Sequence, residues 1–454
     1  MSSATIAAIR FGYGLSAGQP APGDAGALSA ALAAPDAMAA RFPVTGMAGV
    51  FPLIREYNQA RRASRQDEPG GEDRFQAARR NLRLTMLEGL RAQLMRAVLA
   101  PDGMRERLHA FWSDHFTVRA KGVRFIAAPS AFAEDAIRPH ITGSFPAMLR
   151  AAVTHPAMLA YLDQNRSIGP DSPAGQRQGA GLNENLAREV LELHTLGVDG
   201  GYAQGDVTQF AELLTGLTFD VQEGFLFRPR WAEPGAETVL GTRYGGAERA
   251  RLDEVFAALD DIALHPATAR HLARKLAVHF VSDRPDPDLV ATLAAAYTAG
   301  GGALMPVYEA LLAHPAAWVL PFAKARQPWD FMVASLRALG ATEAALAGLG
   351  YPELRKGIRQ PLAHMGQPYQ APPGPDGWPE EAEAWITPPA LAERIGWAMA
   401  LAGEYSAALP DPRAFVETAL GGTASETLLG AVRAAESREA AVALVLASAE
   451  FNRR

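Results

Sequence analysis

The sequence predicts a mainly α-helical, multi-helix globular body with a small β-hairpin insert. Apolar residues recur at three- and four-residue spacing through most of the chain after Phe75, which is the spacing of one helix face. Runs of β-branched and aromatic residues split by Gly and Pro are confined to Leu217–Gly245. The 454 residues are 48% hydrophobic and 20% charged, a balance typical of globular proteins and unlike that of collagen-like or disordered chains.

The N-terminal part, residues 1–216, contains one strongly polar stretch. The segment Arg61–Arg74 reads RRASRQDEPGGEDR, and its charges, Gly and Pro predict an exposed loop near 61–74. From Phe75 the spacing predicts a long amphipathic helix that ends before Pro101. The apolar positions of this helix are Leu82, Met86, Leu87, Leu90, Leu94 and Val98.

The insert over residues 217–250 contains LTFDVQEGFLFRP and ETVLGTRYGG, which predict short strands. The C-terminal part, residues 251–454, returns to helical spacing, and we expect the three parts to form one continuous domain.

The order His-Pro-Ala occurs at His155, His265 and His314. Because proline is favoured at the first helical position, each predicts a helix start and not a ligand.

Composition and missing motifs exclude several classes of function. The chain has no cysteine, so disulfides, thiolate metal sites and cysteine nucleophiles are ruled out. A formal net charge of -6 gives no general attraction to nucleic acid or to anionic lipid.

No apolar run approaches the ~18 residues of a membrane span, and the start lacks a Sec-type signal. We therefore expect a cytoplasmic location by default. The signatures GxxxxGK[ST], HExxH and GxSxG are absent as well.

The first candidate for chemistry is the predicted helix from Asn183 to Gly197, NENLAREVLELHTLG. Its wheel places Asn185 and Glu189 at one margin of the buried stripe and His194 at the other. A carboxylate at such a margin needs a counter-charge, a proton or a bound cation. Glu189 is therefore a candidate catalytic or metal-binding group, and the alternative is a structural salt bridge with an arginine of another helix.

The second candidate is Leu108–Val118, LHAFWSDHFTV, in which His115 aligns with Leu108, Phe111 and Trp112. We predict that His115 is buried and has one ring nitrogen hydrogen-bonded. It is a candidate ligand or base, although a histidine among aromatic residues is more often a core residue. Asp114 points away from this face and is predicted to make a surface or loop contact.

Two further segments carry polar groups. The predicted helix Pro266–Val281 aligns His271, Lys275 and His279 along one edge. This edge suits an anionic ligand or a neighbouring carboxylate better than it suits a metal. The alternative is that the edge is solvated. The loop Gly366–Pro379, GQPYQAPPGPDGWP, is too rich in proline for a helix. Tyr369 and Trp378 would anchor this loop, either at the wall of a pocket or between subdomains.

Together these segments resemble the bacterial family catalogued as domain of unknown function 1800. The resembling stretches are FWSDHFTV at Phe111–Val118, AIRPHITGSF at Ala136–Phe145, HPAMLAYLDQNRSIGPDS at His155–Ser172, LNENLAREVLELHTLGVDGGYAQGDV at Leu182–Val207, HPATARHLARKLAVHFVSD at His265–Asp283, and the loop GQPYQAPPGPDGWP.

The resemblance implies no particular reaction, because the family has no established activity. It implies a partner: members are often encoded beside a phosphatase-superfamily-like protein with a twin-arginine leader, which suggests joint export. Two departures are visible. Members usually have Trp where this chain has Leu217, and they often carry His-Glu and Lys in the insert, where this chain has Ala232-Glu233 and Glu237.

Two functional hypotheses follow. The first is an enzyme with a carboxylate and histidine pocket between helices, with or without a divalent metal. Its catalytic groups would be Glu189, His115 and Asp163, and its substrate-binding groups Asn165, Asn185, His194 and Trp378. We further expect Glu189 to face a cavity shared with His115, His155, Asp163, Asn165 or Arg188. The alternative is a non-catalytic binding or escort partner of another protein, in which these groups form a buried network that fixes the packing of the core.

Overall fold

Helical segments separated by short turns make up most of the computed structural model, which describes residues 2–178, 181–246 and 249–454. The α-helices before the insert are α1 (Ser3–Ile6), α2 (Ala25–Ala33), α3 (Ala37–Arg41), α4 (Met47–Arg65), α5 (Gly71–Leu99), α6 (Met104–His115), α7 (Ala128–Phe132), α8 (Phe145–Thr154), α9 (Pro156–Tyr161), α10 (Gly175–Gln178), α11 (Asn185–Glu189) and α12 (Gln204–Leu213).

The α-helices after the insert complete the body. They are α13 (Leu252–Ala263), α14 (Pro266–Phe280), α15 (Pro287–Ala299), α16 (Met305–Ala313), α17 (Pro328–Ala338), α18 (Glu343–Ala347), α19 (Tyr351–Glu353), α20 (Gln360–His364), α21 (Ala382–Trp385), α22 (Pro388–Glu404), α23 (Pro412–Leu420), α24 (Glu426–Ala434) and α25 (Arg438–Ala447).

Short π-helical and 3₁₀ segments join or extend these α-helices. The π-helical segments are Ala7–Phe11, Ala133–Ile137, Val190–Thr195 and Leu354–Arg359, and the 3₁₀ segments are Val123–Phe125, Arg138–His140, Gln164–Arg166, Pro315–Trp318 and Ser406–Ala408. The predicted helix Asn183–Gly197 is thus α11 continued by the π-helical segment Val190–Thr195.

The predicted β-structure lies where the sequence places it. Strands β1 (Leu217–Asp220) and β2 (Gly224–Phe227) pair antiparallel, as do β3 (Ala236–Val239) and β4 (Thr242–Gly245). The insert is therefore two hairpins, whereas the sequence predicted one. Residues 247–248 of the predicted insert lie outside the described residues.

Most of the predicted helices are confirmed, and one predicted loop is shorter than expected. Helix α5 ends at Leu99, before Pro101, and α14 occupies nearly all of Pro266–Val281. The segment 61–74 is largely exposed, but α4 continues through Arg65 and α5 starts at Gly71. Only a short turn separates them, because α4 and α5 pack against each other as a pair.

The three His-Pro-Ala stretches begin helical segments, as predicted. In each, the histidine is the residue before the helix, and its Nδ1 accepts the backbone N–H of the alanine two residues later, at 3.1–3.2 Å. The imidazole thus satisfies an N–H that has no partner within the helix.

A large apolar core contains buried residues from Ala7 to Phe451, which come from the chain before, within and after the insert. A smaller cluster consists of Ile6, Ile9 and Phe322. Helix α6 lies within this core, with Leu108, Phe111 and Trp112 at most 4% exposed. Along the described parts of the chain, no helix combines the length and apolar character that a membrane crossing requires.

Arg337 of α17 ties the end of α5 to the core. Its guanidinium is 3% exposed and donates to the carbonyl oxygens of Val98 and Ala100, both at 2.7 Å, and more weakly to that of Ala97. These carbonyls belong to the last turn of α5 and the residue after it, where no intrahelical donor remains. One buried side chain therefore satisfies several backbone acceptors.

We predict that Arg337→Met destabilises the protein by about 3 kcal/mol, because methionine fills the space but leaves buried carbonyl oxygens without donors. Chemical denaturation would measure the free energy of unfolding. The control is Arg433→Met on the exposed face of α24, which should change that free energy by less than about 0.5 kcal/mol. Equal effects of the two substitutions would contradict the role given to Arg337.

Candidate active site

A cavity of about 170 Å³ lies beside α6 and is called the main cavity, because mostly buried residues line it. Its other walls come from α7, from the start of α17, from His279 of α14 and from the loop Gly366–Pro379. The aromatic side chains that line it are Tyr13, Phe111, Phe132, Trp329, Tyr369 and Trp378. The proline-rich loop therefore forms a wall of a pocket, one of the two roles that the sequence left open.

Helix α6 and the residues after its end supply polar groups to this cavity. Glu106 and Ser113 of α6 line it, as does Thr117 just beyond the helix. The buried hydroxyl oxygen of Ser113 has no hydrogen-bond partner among the described residues. A hydroxyl left in this state is available to a ligand.

Asp114 also lines the cavity and holds the proline-rich loop. The backbone N–H of Trp378 donates to its two carboxylate oxygens, at 3.0 and 3.1 Å. The loop approaches closely because residue 377 is glycine: its φ is +86°, and a Cβ there would lie 2.7 Å from Asp114 Oδ2. The prediction that Asp114 makes a loop contact is confirmed, but this contact is part of the cavity wall.

Burial raises the pKa of Asp114 to about 7. Lys275 and the Trp378 N–H lower this pKa, while the nearby carboxylates of Glu380 and Asp376 raise it. Asp114 is therefore a carboxyl group that exchanges protons near neutral pH and faces a cavity.

A chain of charged groups closes another side of the cavity. Arg107 donates to Asp330 Oδ2 at 2.8 Å and to His279 Nε2 at 3.1 Å. Because a guanidinium cannot accept, His279 Nε2 must be the acceptor, and Nδ1 then donates to Glu380 Oε1 at 2.5 Å. Burial alone would raise the pKa of Glu380, but the hydrogen bond from His279 and the charge of Lys324 lower it.

Glu106, at a third point of the wall, is held by Arg138. The guanidinium donates to the two Glu106 carboxylate oxygens at 2.6 and 2.9 Å and to those of Asp36 at 2.7 and 2.9 Å. The Arg138 side chain is 4% exposed, so these are buried, charge-assisted pairs. They fix the orientation of this wall.

The predicted catalytic residues are not brought together. His115 is buried, as predicted, and its Nε2 donates to the His194 carbonyl at 3.0 Å. Asp163 forms an ion pair with Lys121 at 2.6 Å, with both side chains more than 40% exposed. Glu189 is half-buried, and burial together with Glu192 and Asp376 raises its pKa to about 7.

Glu189 does not line the main cavity, and neither do His115, His155, Asp163, Asn165 or Arg188. The expectation that Glu189 faces a cavity shared with these residues is therefore not met at the main cavity, and elsewhere it stays a prediction. The structure shows no salt bridge in its place: within the described residues, no arginine of another helix lies within 4 Å of the Glu189 carboxylate.

The predicted substrate-binding residues are also scattered. Asn185 is exposed, and its backbone N–H donates to the side chain of Asn183. Asn165 is half-buried, and its carbonyl oxygen accepts from the Thr218 hydroxyl. His194 is 1% exposed. Trp378 alone lines the main cavity.

His115, His194 and His271 form a histidine group, in which His115 and His194 are buried and His271 is half-buried. The His115 ring lies 6.0 Å from that of His194 and 6.4 Å from that of His271, centre to centre. His271 donates from Nε2 to the Leu193 carbonyl at 3.0 Å, while the Nδ1 atoms of His115 and His194 lack partners in the described chain. Burial and Lys275 lower the pKa of His194 to about 3 and that of His271 to about 4.

The edge of α14 faces carboxylates and is not solvated along its length. His279 is buried against Glu380, and Asp114, Glu380 and Asp376 oppose the lowering of the Lys275 pKa that burial causes. The expected carboxylate neighbours are therefore present, although they come from α6 and the loop region and not from a single neighbouring helix.

No group of three or more His, Asp or Glu side chains within the described ranges is arranged to hold a metal ion. The described side chains thus offer no ligand set for the divalent metal that the sequence left open. The polar groups of the main cavity suit proton exchange and hydrogen bonding instead.

The sequence reasoning missed Ser113, Asp330 and the role of Asp114 in the cavity. No sequence signal marked them, because the burial of α6 is seen only in the structure: the helix has little exposed face, yet it carries Glu106, Arg107 and Asp114. Charged residues in such a helix must meet partners or line a cavity. Asp330 gave no signal either, because its partners are remote in sequence.

These features define a mainly helical protein with an aromatic-walled cavity and an ionisable carboxylate in its wall. The model of the family described as "Protein of unknown function (DUF1800)" matches residues 6–453, so the chain belongs to that family. No curated protein and no solved structure matches the chain.

We predict that acid destabilises this protein partly through the histidine group. Because the folded-state pKa of His194 lies below its ordinary value of 6.5, the unfolded chain binds the proton more tightly, and stability falls as the pH drops from 6.5 towards 3. His194→Leu should reduce this fall by up to about 1.4 kcal/mol per pH unit.

Denaturation curves between pH 7 and pH 4 would measure this slope. The control is His364→Leu, whose side chain is 64% exposed and should leave the slope unchanged. An identical pH dependence in the wild-type protein and His194→Leu would show that His194 does not contribute to the acid sensitivity.

Proposed function

We propose that the main cavity binds a small, ring-sized organic molecule and that Asp114 exchanges a proton with it as a general acid–base. One observation carries the proposal: a carboxyl group with a pKa of about 7 faces an aromatic-walled cavity. A general acid–base works best when its pKa lies near the working pH.

The size of the cavity supports a ligand of one ring. An engineered protein cavity of roughly 150 Å³ holds benzene, and the volume here is about 170 Å³. Aromatic walls such as Phe111, Trp329 and Tyr369 favour a flat, largely apolar ligand. The cavity therefore suits a single ring with a short polar substituent.

The polar groups support a ligand that both donates and accepts hydrogen bonds. The Ser113 hydroxyl can donate or accept, and Asp114 donates when protonated and accepts when ionised. The Trp378 N–H holds the Asp114 carboxylate in place, so that it need not reorient for proton transfer. Ser113 and Asp114 both line the cavity, so both are available to the same ligand.

The proposal predicts that benzamide, a one-ring amide, raises the melting temperature of the wild-type protein. It should not do so for Ala110→Leu, because leucine at this wall position fills part of the cavity without removing a titratable group. Differential scanning fluorimetry with a panel of one-ring amides, phenols and carboxylates would measure the shifts.

Asp114→Asn separates binding from proton exchange. Asparagine keeps an oxygen for the Trp378 N–H, so the variant should still bind the ligand. Its affinity should be flat between pH 6 and pH 8, whereas that of the wild-type protein should change around pH 7. If no one-ring compound stabilises the wild-type protein, or if Ala110→Leu responds equally, the enzyme proposal fails and the non-catalytic partner role is favoured.

A further inference from the structure

A second cavity, of about 550 Å³, lies beside the two hairpins and shares no lining residue with the main cavity. Glu233, Glu237 and Glu254 line it together with the exposed residues Arg230 and Arg249. The cavity thus combines carboxylates with arginines at its exposed edge. The proposed function makes no use of it.

Glu237 occupies a position in β3 where an apolar residue is expected. Side chains alternate between the two faces of a strand, and Thr238 is exposed while Val239 is 1% exposed on the inner face. Glu237 shares the inner face with Val239 and is 4% exposed. A buried carboxylate at such a position costs free energy unless a cation or donor meets it.

The carboxylates of Glu233 and Glu254 each accept a hydrogen bond from another residue, whereas the Glu237 carboxylate accepts none from another residue in the described ranges. Glu233 accepts the backbone N–H of Asp171, and Glu254 accepts that of Gly245. For Glu237, no lysine or arginine nitrogen in the described ranges lies within 4 Å, and only its own backbone N–H acts on its carboxylate. Burial raises its pKa to about 7, and Glu212, Glu233 and Glu254 add to the effect.

We infer that this second cavity binds a small zwitterion, whose primary ammonium group pairs with Glu237 and whose carboxylate faces Arg230 and Arg249. A metal ion is the weaker candidate, because these carboxylates do not form a metal-binding group. An ammonium group needs one well-placed carboxylate and tolerates looser geometry. The arginines at the edge disfavour a ligand that carries positive charge alone.

The test uses 6-aminohexanoate as the probe and hexanoate as the same chain without the amine. Isothermal titration calorimetry at pH 8, where Glu237 is ionised, should detect binding of 6-aminohexanoate and not of hexanoate. Glu237→Gln keeps the shape and removes the charge, and it should weaken binding by about tenfold or more. Glu223→Gln, at the exposed turn between β1 and β2, is the matched control and should bind as the wild-type protein does.

The stability of Glu237→Gln distinguishes loss of binding from loss of fold. Because the folded-state pKa of Glu237 is raised, the native state loses stability as the pH rises from 4.5 through 7. Removal of the Glu237 charge should therefore raise the melting temperature at pH 8. A folded Glu237→Gln variant that binds 6-aminohexanoate as tightly as the wild-type protein would overturn the inference.

Two further outcomes would also overturn it. One is the absence of 6-aminohexanoate binding to the wild-type protein. The other is a loss of stability in Arg249→Gln at pH 8 that disappears when Glu237→Gln is added, because this coupling would show that Arg249 neutralises Glu237 within the protein. Neither outcome bears on the main cavity, so failure here leaves the proposed function untouched.

Discussion

The structure depends on the burial of a charged helix. Helix α6 lies in the core, and its charged residues must therefore find partners in segments remote in sequence. Glu106 meets Arg138, Arg107 meets Asp330 and His279, and Asp114 accepts the Trp378 N–H. Each of these contacts fixes a different element against α6, and the space left between those elements is the main cavity.

The two carboxyl groups Asp114 and Glu380 show how partners decide proton affinity. Both are desolvated, which by itself favours the protonated form. Glu380 accepts a hydrogen bond from His279 and pairs with Lys324, and these contacts lower its pKa. Asp114 receives one amide N–H and has other carboxylates nearby, so its pKa stays near 7. The same loop region thus carries a permanent charge at Glu380 and faces a group at Asp114 that can exchange a proton.

Part of the candidate site could be predicted from the sequence. The helical wheel placed His115 in the core, and the density of prolines identified the loop that carries Trp378. The wheel could not show which residues of different helices converge. Glu189 and Asp163 were candidates from the sequence pattern, but neither lines the main cavity. Position on a helix face does not determine what lies opposite that face.

The sequence by itself determined the helical class, the place of the β-structure and most helix limits, because apolar spacing, proline and capping residues act over a few neighbouring residues. The pairing of α4 with α5, which left only a short turn where a loop was expected, required the contact between the two helices. Tertiary structure alone decided the site. The properties of Asp114 and Glu237 arise from burial and from charges contributed by distant segments, and these cannot be read from local sequence.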